Sequence, residues 1–272
     1  MKAERDLAGA YRRSKTLELP LNERLRYNKK MKRREFSMVL HQLLGIPARS
    51  HCVAVCGSGG KSSLCRALSL EAKAAGFKSA VTVSTHIGIP AEKDFPLFVG
   101  ENAEELRFLL QSNVIPVAGK HDGGKLAFGG EKQWKLLLNE ADKIYVEADG
   151  SRMLPLKYPN ATEPVLPVET DCVLVVCGLS ALGKPAAEVC HRWELAQEKM
   201  PDMPAVVEEE TVARLLLTGY GRFSPVYVLN QADTPELAAA GMRIKDLLFS
   251  GGADNAAVIS LKNRKLADKR FF

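Results

Sequence analysis

Short apolar runs alternate with segments of helical periodicity along most of the chain. Runs typical of β-strands occur at residues 51–56, 79–84, 113–118, 143–148, 171–177, 226–230 and 256–261. Segments with apolar residues at helical spacing occur at 36–44, 61–75, 103–111, 132–141, 186–199, 208–218 and 235–248. Because parallel strands need a crossover between them, this alternation predicts an α/β fold with a mostly parallel sheet and helices on both faces.

Three segments interrupt the alternation. Residues 85–100 and 151–170 are punctuated by proline and glycine and are predicted to be irregular loops. Glycine pairs in the segment 122–130 indicate a hairpin. Because ligands of such folds bind at the carboxyl ends of the strands, functional residues are expected directly after each strand.

Positive charge is concentrated at the N-terminus. Residues 1–35 contain 12 Lys or Arg and 5 Asp or Glu, whereas the whole chain has a net charge of +6. We therefore expect a basic helical N-terminal extension over residues 1–35 and an α/β domain over residues 36–272. The extension could attract nucleic acid, anionic lipid or an acidic partner, or it could be a solvated helix. Nucleic acid is the least expected partner, since Tyr11 and Tyr27 are the stacking aromatics of this segment.

Length and composition predict one large core, or one core plus a small appended lobe. Hydrophobic residues make up 46% of the chain, and six cysteines are present. With no apolar run of about 18 residues and no apolar stretch after the charged N-terminus, we expect no membrane span, no secretory signal and a cytoplasmic location. Cys52, Cys56, Cys172 and Cys177 lie in strand-like runs, which indicates buried, reduced thiols rather than metal ligands.

The glycine-rich segment after the first predicted strand indicates a phosphate-binding loop. It comprises Gly57, Ser58, Gly59, Gly60, Lys61, Ser62 and Ser63. Glycines let backbone N–H groups turn toward phosphate, Lys61 adds a cation, and the Ser62 hydroxyl is a ligand for Mg²⁺. Val55 stands where the common P-loop pattern has its first glycine, so Gly57 anchors a shorter variant. The segment predicts a P-loop NTPase-like fold, and a purely structural turn is the alternative.

Two carboxylates lie at the end of the strand predicted at 143–148. Glu147 and Asp149 would share one face of that strand. Such acids hold Mg²⁺ or orient a water molecule, so Lys61, Glu147 and Asp149 are candidate catalytic residues. Ser62 and Asp149 are the candidate metal ligands. A helix cap or a surface turn is the alternative role for either acid.

The strand predicted at 226–230 leads into Asn230-Gln231-Ala232-Asp233. This segment resembles the N-[KQ]-x-D element of GTPases, in which the Asp accepts hydrogen bonds from guanine N–H groups, although Gln231 replaces the usual Lys. Ser260-Leu261-Lys262 resembles their S-A-K loop. Asn230 and Asp233 are therefore candidate nucleotide contacts, with GTP and ATP both open, and a turn with a helix cap is the alternative.

Four further residues are candidates for binding a substrate, namely His86, Arg152, His191 and Arg192. His86 follows the second predicted strand and could contact phosphate or act as an acid or base. His191 and Arg192 are expected at the start of a helix or within it, where Arg192 could hold an anion. Structural or simply exposed positions are the alternatives.

Several of these segments together resemble the YqeC family of selenium-dependent hydroxylase accessory proteins. The resemblance is carried by residues 57–63, 82–86, 146–152, 154–157, 163–165, 178–179, 183–185, 191–192 and 230–233. The most specific part is Glu147-Ala148-Asp149-Gly150-Ser151-Arg152 and the prolines after it. The resemblance implies a P-loop nucleotidase-like domain that supports molybdenum hydroxylases requiring labile selenium. Residues 1–35 have no counterpart in it.

The leading hypothesis is Mg²⁺-dependent binding and hydrolysis of GTP or ATP in the maturation of a selenium-dependent molybdenum hydroxylase. That hydroxylase or its maturation proteins would be the partners. Two alternatives remain open. One is a small-molecule kinase or ligase whose anionic acceptor lies near Arg152, Lys157 and Arg192. The other is a non-enzymatic, nucleotide-gated scaffold or cofactor carrier, in which residues 85–100 become ordered on binding.

Overall fold

A computed structural model of the chain describes residues 38–88, 95–262 and 265–266. The predicted basic extension over residues 1–35 lies outside the described residues. From Leu40 onward the described residues belong to one structural unit. None of the described helices is both long enough and apolar enough to cross a bilayer.

The described residues form a nine-stranded sheet and two smaller sheets. Strands β1 to β14 are Cys52–Gly57, Ser79–Val83, Ile87–Gly88, Leu97–Phe98, Val117–Ala118, Lys120–Asp122, Lys125–Ala127, Lys143–Glu147, Leu156–Lys157, Cys172–Gly178, Cys190–His191, Val226–Asn230, Asn255–Ser260 and Lys265–Leu266. The large sheet has the order β14-β13-β12-β10-β1-β8-β2-β5-β4. Its neighbours pair in parallel, except that β13 and β14 pair antiparallel. The central strand β1 thus lies between β10 and β8.

Helices cover both faces of this sheet. Helices α1 to α8 are Val39–Leu43, Lys61–Ala74, Ala103–Gln111, Glu131–Glu140, Ala186–Val189, Trp193–Lys199, Glu209–Tyr220 and Pro235–Ser250. On β8, Val146 packs in a buried cluster with residues of α3 and α4, whereas its neighbour Glu147 bonds to Ser62 of α2. Because successive side chains of a strand point to opposite faces, α2 lies on the face opposite α3 and α4. Residues of α7 and α8 pack with Cys56 of β1 in a second cluster.

The predicted α/β fold, with a mostly parallel sheet, helices on both faces and a P-loop-type connection after β1, is confirmed. Local sequence signals account for several boundaries. Helix α3 begins where the Asn102 side chain accepts a hydrogen bond from the backbone N–H of Glu104, 2.9 Å away. Helix α8 begins at the Thr234 cap and has Pro235 in its first turn, where the missing N–H costs nothing.

One predicted strand and two predicted loops differ from the structure. The strand expected at 113–118 is reduced to Val117–Ala118, because Pro116 has no N–H to donate to a neighbouring strand. The irregular loops expected at 85–100 and 151–170 contain short strands, of which β3 pairs with β7 of the hairpin β6–β7.

The helical region expected at 186–199 is interrupted by a strand. Strand β11 (Cys190–His191) pairs in parallel with β9 (Leu156–Lys157) and separates α5 from α6. His191 therefore lies in a strand, so its expected helical position is wrong. Arg192 immediately precedes α6 with a left-handed backbone, at φ +63°. This conformation lets the chain turn from β11 into the helix.

Candidate functional site

The candidate site lies at the carboxyl ends of the central strands, where the loop Gly57–Gly60 joins β1 to α2. Gly57 and Gly59 have φ values of +87° and +81°. A Cβ atom at Gly57 would lie 2.3 Å from the carbonyl oxygen of Val176, and one at Gly59 would lie 2.3 Å from the backbone nitrogen of Gly178. The loop therefore packs directly against the end of β10, and only glycine fits at these two positions.

Backbone N–H groups at the start of α2 lack acceptors. Helix α2 begins after Gly60, and no side chain caps it. The first intrahelical bond runs from the N–H of Leu64 to the oxygen of Gly60. The N–H groups of Lys61, Ser62 and Ser63 precede that bond and have no acceptor within the described part of the chain. Together with the helix dipole, they make this end of α2 suited to an anion.

Lys61 points back into the loop and lies between two carboxylates. Its ammonium nitrogen donates hydrogen bonds to the oxygen of Gly57, at 2.9 Å, and to the hydroxyl of Ser151, at 3.0 Å. It also lies 3.7 Å from Glu147 Oε1 and 3.4 Å from Asp149 Oδ1. The three residues that the sequence marked as catalytic candidates thus meet at one point.

Glu147 is a buried carboxylate that faces α2. The hydroxyl of Ser62 donates a hydrogen bond to its Oε2, at 2.8 Å. Burial raises the pKa of Glu147 above its ordinary value, although Lys61 and the Ser62 hydrogen bond act in the opposite direction. A carboxylate in this state accepts a proton more readily than an exposed one.

Asp149 is fully buried and only half of its carboxylate is satisfied. Its Oδ2 accepts hydrogen bonds from the backbone N–H of Gly57, at 3.1 Å, and from the ammonium group of Lys157, at 2.8 Å. Its Oδ1 has no hydrogen-bond partner in the described part of the chain. Thr85 Oγ1, at the carboxyl end of β2, is a second buried polar atom without such a partner. Buried polar atoms of this kind indicate a place for a ligand, an ion or water.

These residues fit Mg²⁺ provided that a bound phosphate completes its coordination. Asp149 Oδ1, which accepts no hydrogen bond within the described part of the chain, and the hydroxyl of the exposed residue Ser62 are oxygen ligands of the kind that this ion prefers. No group of three or more His, Cys, Asp and Glu side chains among the described residues could hold a metal without other ligands. The chain alone therefore offers an incomplete site, as is usual where phosphate oxygens are also ligands.

A network of alternating negative and positive side chains extends from Asp149 to Arg192. Lys157 bridges Asp149 and Glu163, with 2.8 Å from its nitrogen to an oxygen of each. Arg192 donates to Glu163 through both terminal nitrogens, at 2.5 and 3.2 Å. Burial would raise the pKa of Glu163, but the hydrogen bonds from Arg192 and Lys157 outweigh burial and lower it. Glu163 is therefore held as a carboxylate.

The structural importance of Lys157 and Glu163 was not evident from the sequence. Both residues lie in the proline-rich segment predicted to be irregular. Because such a segment has no strand or helix periodicity, nothing in it shows which side chains point inward. The available signals were the four charged residues of the segment and the family resemblance of residues 154–157 and 163–165, and neither shows which charges are buried.

On the other side of the loop, Asn230 ties β12 to the glycines. Its Nδ2 donates to the oxygen of Gly59, at 2.8 Å, and its Oδ1 accepts from the N–H of Leu261, at 3.2 Å. Asp233 Oδ1 accepts from the hydroxyl of Ser260, at 2.5 Å. The two segments that resemble GTPase elements are therefore bonded to each other and, through Asn230, to the loop.

The remaining candidates lie around this centre. The hydroxyl of Ser58 donates to the oxygen of Leu154 and so braces the loop, whereas Ser63 is exposed on the first turn of α2. His86 is exposed and pairs with Asp122, with 2.7 Å from Nε2 to Oδ2. Its carbonyl oxygen lies 3.7 Å from where a Cβ of Gly150 would be, so His86 borders the site.

Arg152 directly follows Ser151, whose hydroxyl accepts a hydrogen bond from Lys61, and His191 is the β11 register partner of Lys157. Arg152 is exposed and has a left-handed backbone, at φ +50°. His191 is half-buried, and burial followed by the charges of Arg192, Lys157 and Arg152 lowers its pKa. A neutral imidazole at neutral pH follows from this environment.

The cysteines have the environment expected of structural thiols. All six are free, and five of them are buried. Cys56, which immediately precedes the loop, is fully buried, and burial raises its pKa well above the ordinary value. Its thiol is therefore held in the unreactive protonated form.

Comparison with known proteins gives one family and one related sequence. Residues 53–194 match the family model described as YqeC protein. The Uncharacterized protein YqeC of Escherichia coli (strain K12) is 35% identical over 155 residues, which cover 55% of this chain and 60% of that protein. The chain thus aligns with three fifths of the length of this relative.

Among solved structures, the hydrogenase maturation factor HypB from Archaeoglobus fulgidus aligns over 89% of this chain and 93% of its own, at 11% identity and a TM-score of 0.37. This similarity is too low to establish a common fold. The fold described above therefore rests on the strand order and pairing of this chain.

Proposed function

The chain belongs to the YqeC family, and from that premise we propose that it binds and hydrolyses a purine nucleoside triphosphate, with GTP preferred over ATP. One observation carries the proposal. Helix N–H groups without acceptors, the ammonium group of Lys61 and Asp149 Oδ1, which accepts no hydrogen bond among the described residues, converge at one strand end. A triphosphate needs donors and cations of this kind to offset its negative charge.

The phosphates would bind to the N–H groups from Gly59 to Ser63 and to Lys61. In the present structure Lys61 bonds to Gly57 and Ser151, so it would exchange these oxygen acceptors for phosphate oxygens. Its ion pairs with Glu147 and Asp149 fix the ammonium group at the loop. Gly57, Ser58 and Gly60 would shape the loop around the ligand.

Ser62 and Asp149 would hold Mg²⁺ together with phosphate oxygens. When bound, the ion supplies charge neutralisation on the phosphates. Asp149 is held in place for this role by Gly57 and Lys157. The hydroxyl of Ser62 would have to leave Glu147, which frees that carboxylate.

Glu147 would orient the attacking water and take its proton. The water oxygen forms a bond to the terminal phosphorus as the bond from that phosphorus to the bridging oxygen breaks, which gives the nucleoside diphosphate and inorganic phosphate. The raised pKa of Glu147 suits it to receive the proton.

Guanine is favoured by the arrangement of Asn230 and Asp233. Asn230 fixes the segment against Gly59, and the hydroxyl of Ser260 orients the Asp233 carboxylate. A carboxylate accepts the two N–H groups on one edge of guanine, whereas adenine offers a ring nitrogen acceptor there.

The cellular role that we propose is maturation of a selenium-dependent molybdenum hydroxylase in the cytoplasm. It is supported by the family to which the chain belongs. Residues 1–35 would form a basic extension of the nucleotide-binding domain at 36–272, and the hydroxylase or its maturation proteins would be the partners.

A second candidate function is phosphoryl transfer to a small anionic acceptor. The cations beyond Asp149, with Arg152 and Arg192 at the surface, favour it. Turnover that requires an added acceptor would distinguish a kinase or ligase from a hydrolase.

Equilibrium titration with fluorescent GTP and ATP analogues, with and without Mg²⁺, tests the main proposal. Lys61→Ala is expected to weaken binding by about 100-fold or more, because a charge-assisted contact to phosphate is lost. Lys73→Ala, at the other end of the same helix, is the matched control and should bind normally. Circular dichroism establishes that both variants are folded. Unchanged affinity in folded Lys61→Ala would reject the proposal.

A further inference from the structure

The ion-pair network from Asp149 to Arg192, together with the nearby Arg152, contains more positive than negative side chains. Lys157 and Arg192 are paired with Asp149 and Glu163, and Lys61 is paired with Glu147 and Asp149. Arg152 forms no ion pair within the described part of the chain. An uncompensated positive charge therefore remains at the surface next to the phosphate loop.

His191 faces the same region as Lys157. The two residues are register partners in the parallel pair β9–β11, so their side chains leave the small sheet on one face. Lys157 on that face reaches Asp149, 2.8 Å away. The half-buried imidazole of His191 lies in the field of Arg192, Lys157 and Arg152. It can therefore add a hydrogen bond to any anion that these cations attract.

Strained backbone holds the two arginines in place. Arg152 and Arg192 have φ values of +50° and +63°, a left-handed conformation that is unfavourable for non-glycine residues. Arg152 follows Ser151, which bonds to Lys61, and Arg192 is fixed by the bidentate contact to Glu163. Strain kept at the edge of a ligand site is typical of groups positioned for binding.

We propose that Arg152, His191 and Arg192 bind the oxyanion group of a second ligand, a phosphate or a carboxylate, beside the nucleotide. The inference rests on the proposed nucleotide function, because Arg152 directly follows Ser151, whose hydroxyl bonds to Lys61 of the proposed phosphate site. Arg192 and Glu163 would form the rigid base of this subsite, and Arg152 would close over the ligand from the surface.

The full-length protein, saturated with a non-hydrolysable GTP analogue and Mg²⁺, would be titrated with inorganic phosphate and separately with malonate. The NMR signals of His191 in histidine-labelled protein report the binding. A bound anion offsets the surrounding cations, so the pKa of His191 should rise with the anion that fits, and the two titrations distinguish phosphate from carboxylate. Absence of a response to both anions would overturn the proposal.

Arg152→Gln should lower the affinity for the anion by about fivefold or more, since one charge-assisted contact is lost. It is preferable to an Arg192 variant because Arg152 is exposed and supports no buried carboxylate. Arg214→Gln, which removes an exposed arginine paired with Asp202, is the matched control. An equal loss of GTP-analogue affinity in Arg152→Gln would place Arg152 in the nucleotide site and overturn the proposal.

The Lys61→Ala variant separates failure of this inference from failure of the nucleotide proposal. If no nucleotide binds to the unmodified protein, the nucleotide proposal fails, but the anion titration can be made without nucleotide. A response of His191 that persists in Lys61→Ala supports a distinct subsite. Loss of the response in that variant shows that the anion was bound at the phosphate loop, which overturns the subsite.

Discussion

Lys157 and Asp149 form an ion pair in which neither side chain is exposed, with 2.8 Å between Nζ and Oδ2. The same ammonium group holds Glu163, also at 2.8 Å. Desolvation of these charges is costly, and their mutual pairing offsets it together with backbone hydrogen bonds from Gly57 to Asp149 and from Lys157 to Gly150. Lys157 thus fixes Asp149 for its proposed role toward Mg²⁺ and, through Glu163, fixes Arg192.

Lys157→Met should destabilise the fold strongly. It leaves Asp149 and Glu163 without their shared cation, and removing one partner of a buried pair costs about 3–5 kcal/mol of unfolding free energy. Denaturant unfolding measures this loss. Lys132→Met removes an exposed lysine paired with Glu101 and should have a much smaller effect. Equal stability of the two variants would show that the Lys157 pairs contribute nothing.

Gly59→Ala should disrupt the loop beyond the cost of its backbone conformation. The added Cβ would meet the backbone nitrogen of Gly178 at 2.3 Å, which no side-chain movement can relieve. Gly183 has a similar φ of +75°, but a Cβ there meets nothing within 4 Å. We expect nucleotide affinity to fall about tenfold or more in Gly59→Ala and to be unchanged in Gly183→Ala. Titration of both variants with a fluorescent GTP analogue provides the comparison, and a normal Gly59→Ala would contradict the described loop.

Asp233→Asn should change the preferred base from guanine to xanthine. The amide replaces one carboxylate acceptor with a donor, which suits the second oxo group of xanthine. GTP affinity should fall by about tenfold, and affinity for xanthosine triphosphate should rise. Asp254→Asn, at an exposed position before β13, is the control. If ATP bound as tightly as GTP to the unmodified protein and to Asp233→Asn, guanine recognition by this residue would be excluded.

Hydrolysis should become faster as the pH rises and Glu147 loses its proton. Burial places the pKa of Glu147 above 4.5, so the midpoint of the rate profile should lie above that value. The contribution of Glu147 to the unfolding free energy changes with pH in the opposite direction to the rate. Protonation of Glu147 stabilises the fold fully below the ordinary pKa of 4.5, and this contribution is lost as the pH rises through the raised folded value.

The Glu147→Gln variant tests both the role of this carboxylate in hydrolysis and its contribution to the pH dependence of stability. It should lower kcat by about 100-fold or more while nucleotide still binds, and it should remove this pH dependence of unfolding. Glu131→Gln, in the first turn of α4, is an exposed control. A normal kcat in Glu147→Gln would show that another group receives the proton.

The phosphate loop and its two acids could be anticipated from the sequence because their signals are local. An apolar strand, three glycines and a helix-forming segment place Lys61 at the carboxyl end of β1. The same reasoning places Glu147 and Asp149 at the end of β8, and β8 is the direct neighbour of β1. Parallel strands bring such ends together whatever the loops do.

The pairing around Lys157 could not be anticipated, since it depends on contacts between distant segments. Arg192 and Glu163 are 29 positions apart, and the two-residue strands β9 and β11 are too short to produce a periodic signal. The helix-forming composition of residues 186–199 concealed β11, because tertiary pairing with Leu156–Lys157 overrides local preference.

The loop, Glu147, Asp149 and the charges up to Arg192 all lie within residues 53–194, whereas Asn230 and Asp233 lie in a later part of the chain. The phosphate and base ends of the proposed ligand would therefore be recognised by separable stretches of polypeptide, joined at the Gly59–Asn230 hydrogen bond. Base selectivity could in that case be redesigned through residues 230–262 without altering the machinery for phosphate chemistry.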